Sequence, residues 1–310
     1  MNKRVYGVLG ISAIMANWNA DFSGFPKTIS TGEVFGSDKA LKYPMKKMWD
    51  DAGEKVLYIK SYRLSTDAKT KEVTMVPRTL AERYEHIFGK ACGATDEVVK
   101  NLFEAVDVKN FGATFAEAKN NISITGAVQI GQGFNKYADS QAQEQQILSP
   151  FRDGKSDSEE KGEAKNSTLG SKIVSDEAHY FYPFTINPSA YKGYQELGLT
   201  DGYTEEDYLK FKEASLVAAT SYATNSKIGC ENELGVFVET LSDTYLPNLS
   251  ELITFEKDKK NIITLKFDQL LNNLGDKIID VEIYFNPYTS EIKADIQKAK
   301  YFDIFTKKEV

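Results

Sequence analysis

Four lysines recur at intervals that a helix would bring onto one flank: Lys39, Lys42, Lys46 and Lys47. Spacings of three and four residues place side chains one above another along a helix. A row of ammonium groups in that arrangement can follow successive phosphates of a nucleic-acid strand. An ordinary solvated helix face has the same pattern, so the row alone leaves both interpretations open. Lys27, in the preceding loop, could join the same surface.

A second candidate for phosphate contacts is the segment Ser226-Lys-Ile-Gly229, which lies between a predicted helix and a predicted strand. Gly229 permits a tight turn because glycine adopts backbone angles that other residues avoid. Lys227 could reach a phosphate from that turn through a charge-assisted hydrogen bond. The segment therefore adds Ser226, Lys227 and Gly229 to the candidate residues.

Residues suited to catalysis or metal binding are few. The only histidines are His86 and His179, and the two cysteines, Cys92 and Cys230, lie far apart. No second His/Cys pair completes a zinc site, and no nucleophile motif accompanies either histidine. Gly131-Gln-Gly133 lacks the third glycine of a dinucleotide-binding loop. The sequence predicts no catalytic residue, no metal and no cofactor.

Composition and charge restrict the class of protein. The 310 residues are 41% hydrophobic, enough for a sizeable core, and contain no run of 18 apolar residues. No secretory signal is recognisable, so we expect a cytoplasmic protein without membrane partners. The net charge is −7, yet residues 1–63 hold ten Lys/Arg against six Asp/Glu. A basic strip on an acidic body favours a confined binding groove over general adhesion to nucleic acid.

The lysine row is expected on a helix between two strands. Residues 4–15 are apolar and β-branched and predict a buried strand, followed by a long polar loop to Gly36. Ser37 or Asp38 can cap a helix that runs towards Asp51. Pro44 inside it should bend or divide the helix. Val56–Tyr62 is predicted to be the second strand.

Two segments are predicted as insertions. Residues 63–90 suggest a Lys-rich hairpin and a short helix. Residues 139–172 are highly polar but carry Ile147, Leu148, Phe151 and Leu169. Such a hairpin could wedge between bases or dock on a neighbouring subunit. A disordered surface loop has the same composition.

Further elements are predicted on both sides of the second insertion. A helix is expected over 96–103, strands over 111–115, 123–130, 179–186 and 234–239, and a helix opened by the capping pattern Thr204-Glu-Glu-Asp207. A hairpin is expected over 254–267, and a strand over 281–285 closes the regular part. With both insertions set aside, the α+β order resembles a split β-α-β plan of the ferredoxin or RRM type, in a single domain spanning 1–310.

Six short segments, in this order, resemble the backbone subunit of type I CRISPR effector (Cascade) complexes, the Cas-seven family, with subtype I-B as the nearest branch. The matching stretches are Tyr6-Gly-Val-Leu-Gly-Ile11, Asn17-Trp-Asn-Ala-Asp21, Ser37-Asp-Lys-Ala-Leu-Lys42, Phe111-Gly-Ala-Thr-Phe-Ala116, Ile124-Thr-Gly-Ala-Val-Gln129 and Thr224-Asn-Ser-Lys-Ile-Gly229. They extend over residues 4–240.

The resemblance implies an RRM-like palm, a finger-like insertion over 63–90 and a thumb hairpin over 139–172. It implies as partners a CRISPR guide RNA, neighbouring copies stacked head to tail, other Cascade subunits and, through the guide, a target DNA strand. Carried over to this sequence, the guide-phosphate contacts are Lys42 and Lys46, with Ser37 and Lys39 beside them. Lys27 and Lys47 are further candidates on the same surface.

The carry-over also implies a glycine turn at Ser226, Lys227 and Gly229 beside the RNA, and thumb contacts by Leu148 and Phe151. The chain departs from the family pattern at Asn225, where relatives often carry arginine. It also departs at Glu231-Asn-Glu233, where relatives carry a basic or proline-rich stretch, and at Pro44 within the lysine-bearing helix.

Two alternatives remain open at this point. The chain could be a metal-dependent target-RNA endonuclease like type III relatives, with Asp21 as its acidic residue, although a turn-forming aspartate explains Asp21 as well. It could also be an RRM-like RNA-binding module that works as a monomer.

Overall fold

A computed structural model describes residues 1–152 and 166–310. The strands within those residues are β1 (Lys3–Ala16), β2 (Phe35–Gly36), β3 (Tyr62–Thr66), β4 (Val73–Pro77), β5 (Gly112–Glu117), β6 (Asn120–Thr125), β7 (Val128–Ile130), β8 (Gly133–Asn135), β9 (Ala142–Arg152), β10 (Asn166–Ile186), β11 (Cys230–Leu241), β12 (Ile253–Lys257), β13 (Asn261–Leu265), β14 (Ile278–Phe285), β15 (Ser290–Lys293) and β16 (Ala299–Asp303). The α-helices are α1 (Asp38–Asp51), α2 (Leu80–Phe88), α3 (Thr95–Glu104), α4 (Val106–Phe111), α5 (Lys192–Glu196), α6 (Glu205–Ser221) and α7 (Asp268–Leu274). Short 3₁₀ turns lie at Pro188–Tyr191, Leu249–Leu252 and Gly275–Lys277. No helix in these ranges is long and apolar enough to cross a membrane.

The main sheet is built around β1. Its strand order is β16-β14-β11-β1-β10-β8-β2, and β7 and β9 also pair with β10. Both neighbours of β1 run antiparallel to it. The central part of the sheet has the strand order β11-β1-β10-β8. Its elements come along the chain in the order β1, α1, β7–β8, β10, α6 and β11, with other elements between them.

Strand β1 is buried on both faces. Val5 and Leu9 belong to a core shared with α1 and α6, whereas Tyr6 and Val8 belong to a second core shared with β12, β13 and α7. The alternation follows the two-residue period of a strand. Burial of each such Val or Leu side chain stabilises the fold by roughly 1.5–3 kcal/mol, and β1 contributes to both cores at once.

Helix α1 is one uninterrupted helix, so of the two effects expected at Pro44, a bend or a division, the division does not occur. Pro44 is buried in α1 together with Leu41, Met45 and Trp49. The packing of this apolar face against the core offsets the hydrogen bond that proline cannot donate. The predicted cap is present, since the Ser37 hydroxyl accepts a hydrogen bond from the amide of Ala40 at 3.3 Å.

The strand predicted over Val56–Tyr62 is wrong except for its last residue, where β3 begins. The amides of Leu57 and Tyr58 donate at 2.8 Å to the carboxylate of Asp107, which is fully buried. Their N–H groups are therefore satisfied by a side chain, and no ladder forms.

Several other predictions over regular segments agree with the structure, and three of them follow. Residues 63–90 contain the β3–β4 hairpin and α2. Helix α6 opens with the capping box of Thr204 and Asp207, and β12 and β13 form the hairpin predicted over 254–267. The expectation that regular structure ends near Phe285 is wrong, because β15 joins β13 and β16 joins β14, both in parallel.

Strands β9 and β10 form a long antiparallel hairpin within the predicted insertion 139–172. Strand β10 continues from the hairpin into the main sheet, where it pairs with β1 from Ser175 to Ile186. Leu148 lies on β9 with 60% of its surface exposed. Residues 153–165 and the side chains of Phe151 and Leu169 lie outside the part of the chain that the structure describes.

A buried ionic cluster joins β12 and β13 to the main sheet. His179 is fully buried, with Nδ1 2.7 Å from Glu233 and Nε2 3.0 Å from Glu177. Its ring stacks on Phe255 of β12 at a centroid distance of 4.0 Å, and Glu233 accepts a hydrogen bond from Asn261 of β13 at 2.9 Å. Burial disfavours the charged imidazole, but the two carboxylates outweigh it and raise the pKa of His179.

This cluster predicts a pH-dependent stability difference between the wild type and His179→Gln. A raised folded-state pKa means that the ion pairs stabilise fully below about pH 6.5, the ordinary value, and less as pH rises through the folded pKa. We expect the variant to lose about 3 kcal/mol at pH 6 and clearly less at pH 9. Urea unfolding at both values measures this. The exposed His86→Gln is the matched control. An equal loss of stability at pH 6 and pH 9 would contradict the stabilisation of protonated, positively charged His179 by its two carboxylates.

Candidate nucleic-acid interface

An open groove of about 650 Å³ runs between α1 and the start of β5. We call it the lysine groove. Its α1 wall carries Lys39, Lys42, Tyr43 and Lys46, and Asp38 is the only acidic residue among those that line it. Three lysines of the predicted row, Lys39, Lys42 and Lys46, therefore line one concave surface. Lys47 lies outside the groove and pairs with Asp51.

The three groove lysines differ in how strongly the fold holds them. Lys39 is exposed and has no ion-pair partner in the described part of the chain. Lys42 pairs with Asp38 at 2.9 Å. Lys46 is largely buried 3.7 Å from Asp107, and burial lowers its pKa although Asp107 opposes that shift. The groove thus offers three ammonium groups, of which Lys39 is the freest to bind an anion.

The opposite wall is aromatic and neutral. The Tyr58 hydroxyl donates to the carbonyl of Thr114 at 2.6 Å, and burial, aided by Asp107, raises the pKa of Tyr58 to about 12. The ammonium groups of Lys42 and Lys46 lie 5.2 and 5.9 Å from the ring centroid of Phe111. These aromatic contacts hold the side chains of Lys42 and Lys46 against the aromatic wall of the groove.

Ser37 and Lys27 have structural contacts beside the groove. The Ser37 hydroxyl caps α1, and its amide donates to the Asn19 side chain at 2.8 Å. Lys27 is half-buried in the first loop, where its amide donates to the carbonyl of Asn19 at 3.0 Å and its carbonyl accepts from Phe35 at 2.9 Å. Neither residue lines the groove.

The turn at 224–229 is fastened to the end of β1. The amide of Asn17 donates to the carbonyl of Ser226, and the amide of Ile14 donates to that of Gly229, both at 2.9 Å. The Lys227 ammonium donates to the carbonyl of Asn17 at 2.7 Å and to that of Trp18. Burial lowers the pKa of Lys227. Its ammonium is thus directed at backbone carbonyls, while Ser226 is exposed on the surface of the turn.

An aromatic pair that our sequence reasoning missed connects the groove with the α6 end that leads into this turn. Tyr43 of α1 lies edge-to-face against Tyr222, the residue that caps the end of α6, at 5.5 Å between ring centroids. The signal was present in the sequence, since Tyr43 follows Lys39 by four residues and precedes Lys46 by three.

Asp21, the residue on which the endonuclease alternative depends, is part of a tight turn. Its Oδ1 accepts the amides of Ser23 at 2.8 Å and Phe25 at 3.0 Å, the pattern of an aspartate that closes its own loop. Across residues 1–152 and 166–310, no three His, Cys, Asp or Glu side chains are grouped to hold a metal ion.

Comparisons with known proteins assign the family. The model of the family described as CRISPR-associated protein Cas7 matches residues 3–282. The chain belongs to the Cas7 family. Its fold is similar to that of a chain in a solved "CRISPR RNA-guided surveillance complex, pre-nicking", with 14% identity, a TM-score of 0.59 and coverage of 97% of this chain and 96% of the other.

A chain of a second solved structure, a "CRISPR RNA-guided surveillance complex", matches with 14% identity and a TM-score of 0.49, covering 96% of this chain and 94% of the other. No curated protein sequence matches the chain.

The conformation of Gly229 in this Cas7-family chain predicts a large cost for Gly229→Ala. Its φ is +96°, and an added Cβ would lie 2.3 Å from the Ile14 carbonyl oxygen. Gly32 has a φ of +89° with nothing within 4 Å of its Cβ position, so Gly32→Ala is the matched control. Urea unfolding should show a loss of about 1–2 kcal/mol for Gly32→Ala and about 1–3 kcal/mol more for Gly229→Ala. Equal losses would contradict the close approach of the turn to β1.

Proposed function

We propose that this chain is a non-catalytic backbone subunit that binds the guide RNA of a type I CRISPR surveillance complex. The observation that carries the proposal is the lysine groove in a member of the Cas7 family. Three ammonium groups share one concave surface on a chain whose net charge is −7. On such a chain, a nucleic acid is attracted to the groove and repelled by much of the remaining surface.

The groove suits a backbone contact that is independent of sequence. Lysine binds phosphate as a point charge, and a guide held by its phosphates keeps base edges available for pairing. Sequence recognition of the target DNA strand then belongs to the guide, as in other RNA-guided complexes.

We further propose that copies of the chain stack along the guide in a cytoplasmic complex of the I-B type, together with other Cascade subunits. The strand order β11-β1-β10-β8 supports an RRM-like palm, with 63–90 as the finger-like part. The β9–β10 hairpin supports the thumb, because Ile147 and Leu148 are exposed apolar residues on it. Exposed apolar side chains on a projecting hairpin fit a contact with RNA bases or with a neighbouring copy.

The proposal that the chain is non-catalytic rests on the hydrogen bonds of Asp21, the acidic residue of the endonuclease alternative. The Asp21 Oδ1 accepts two amides of its own loop, so a turn-forming role accounts for this aspartate without catalysis. The matched family spans 280 of the residues, 3–282, and therefore includes this loop.

Replacing two groove lysines should weaken RNA binding uniformly across sequences and flatten its salt dependence. Lys39→Ala with Lys42→Ala is the preferred double variant, because Lys46 lies beside the buried Asp107 and its loss would also destabilise the fold. The slope of log K against log salt should fall by up to about 0.7 per lost phosphate contact on single strands.

Binding of several unrelated single-stranded RNAs between about 50 and 200 mM salt measures the slope. Lys259→Ala with Lys277→Ala, two lysines outside the groove, is the matched control. An unchanged slope in the groove variant would remove these residues as phosphate contacts.

Stacking along the guide predicts that complexes grow with RNA length. Head-to-tail contacts make open filaments, so each added stretch of RNA should admit another copy. Light scattering of the chain with single-stranded RNAs of increasing length should show the mass rising in steps of 34.7 kDa. One chain per RNA at every length would instead favour the monomeric RRM-like module.

A further inference from the structure

Tyr43 is the one aromatic side chain on the lysine-bearing wall of the groove. It follows Lys39 by one helical turn and precedes Lys46 by another. The buried face of α1 consists of Leu41, Pro44, Met45 and Trp49, so Tyr43 is not needed for the core. Its side chain is 38% exposed. An aromatic ring in this position is available to a ligand that the lysines hold.

The ring is also held in place before any ligand binds. Tyr222, at the end of α6, packs edge-to-face against it with an interplanar angle of 64°. Tyr222 itself is half-buried, and its amide donates to the carbonyl of Ala219 at 3.3 Å. A supported ring loses little rotamer freedom on binding, which favours its use as a flat contact surface.

We propose that Tyr43 stacks on an unpaired base of the nucleic acid in the lysine groove. This inference rests on the proposed function and specifies its ligand, which is single-stranded nucleic acid rather than a duplex. Aromatic residues within a basic groove are the usual means of holding single strands, because every base presents a flat face. A duplex keeps its bases stacked on one another and could use only the lysines.

The decisive experiment is a thermodynamic cycle between the protein and the RNA. Wild type and Tyr43→Ala are each titrated with a single-stranded RNA and with an abasic RNA of equal length, which keeps every ribose and phosphate. We expect Tyr43→Ala to bind the normal RNA roughly tenfold more weakly and the abasic RNA as well as wild type does. The salt slope of the variant should match that of wild type, unlike that of the lysine variant.

Three further arms test the same contact. Tyr43→Phe should retain wild-type affinity, because the ring remains. Duplex RNA of the same length should bind wild type and Tyr43→Ala equally. Tyr288→Ala, which removes a tyrosine that is 71% exposed outside the groove, should bind both single strands like wild type.

Each opposing result has a distinct meaning. An equal loss on normal and abasic RNA would overturn base stacking and make Tyr43 a support for α1 or a ribose contact. No loss on the normal RNA would also overturn the proposal, while the lysine variant would still test the proposed function. If wild type binds no RNA at all, the proposed function fails, and the stacking proposal fails with it.

Discussion

Strand β1 pairs with β10 and β11 along almost its whole length and is buried on both faces. A strand with two hydrogen-bonded neighbours and two cores has no freedom to slip, because a shift by one residue would exchange the side chains between the cores. The end of β1 near Ala16 therefore has a fixed position in the fold. The first loop, the 224–229 turn and the start of α1 are all positioned from it.

The path from β1 to the lysine groove can be followed contact by contact. Trp18, just beyond β1, is fully buried and donates from its indole nitrogen to the Tyr182 hydroxyl at 2.5 Å. Gly36 packs against the same hydroxyl so closely that a Cβ there would lie 1.8 Å from it. The next residue, Ser37, begins the cap of α1. The helix that carries the lysines thus starts from a tightly packed site, so the lysines project from a rigid element.

The sequence was informative where the signal is local. Helix α6 has a reciprocal cap between Thr204 and Asp207, and the lysine row depends only on the period of one helix. The strand prediction was wrong where a distant side chain decides, because Asp107 binds the amides that a strand at 56–61 would have used. The contacts of the Lys227 ammonium with the carbonyls of Asn17 and Trp18, about two hundred residues away in sequence, likewise have no local signal. Neither contact has a local pattern that could predict it.

The same limit applies to the hairpin of β9 and β10, whose composition also fits a disordered loop. Its root is fixed because β10 is one strand that continues into the main sheet beside β1. The Asn17 side chain donates to the carbonyl of Ile173 in β10 at 3.1 Å and to that of Gly24 in the first loop at 2.8 Å. The Asn17 carbonyl accepts from Lys227, so one residue joins the hairpin root, the first loop and the glycine turn. These three segments share that anchor, so the root of the hairpin, the first loop and the glycine turn all have fixed positions relative to the end of β1.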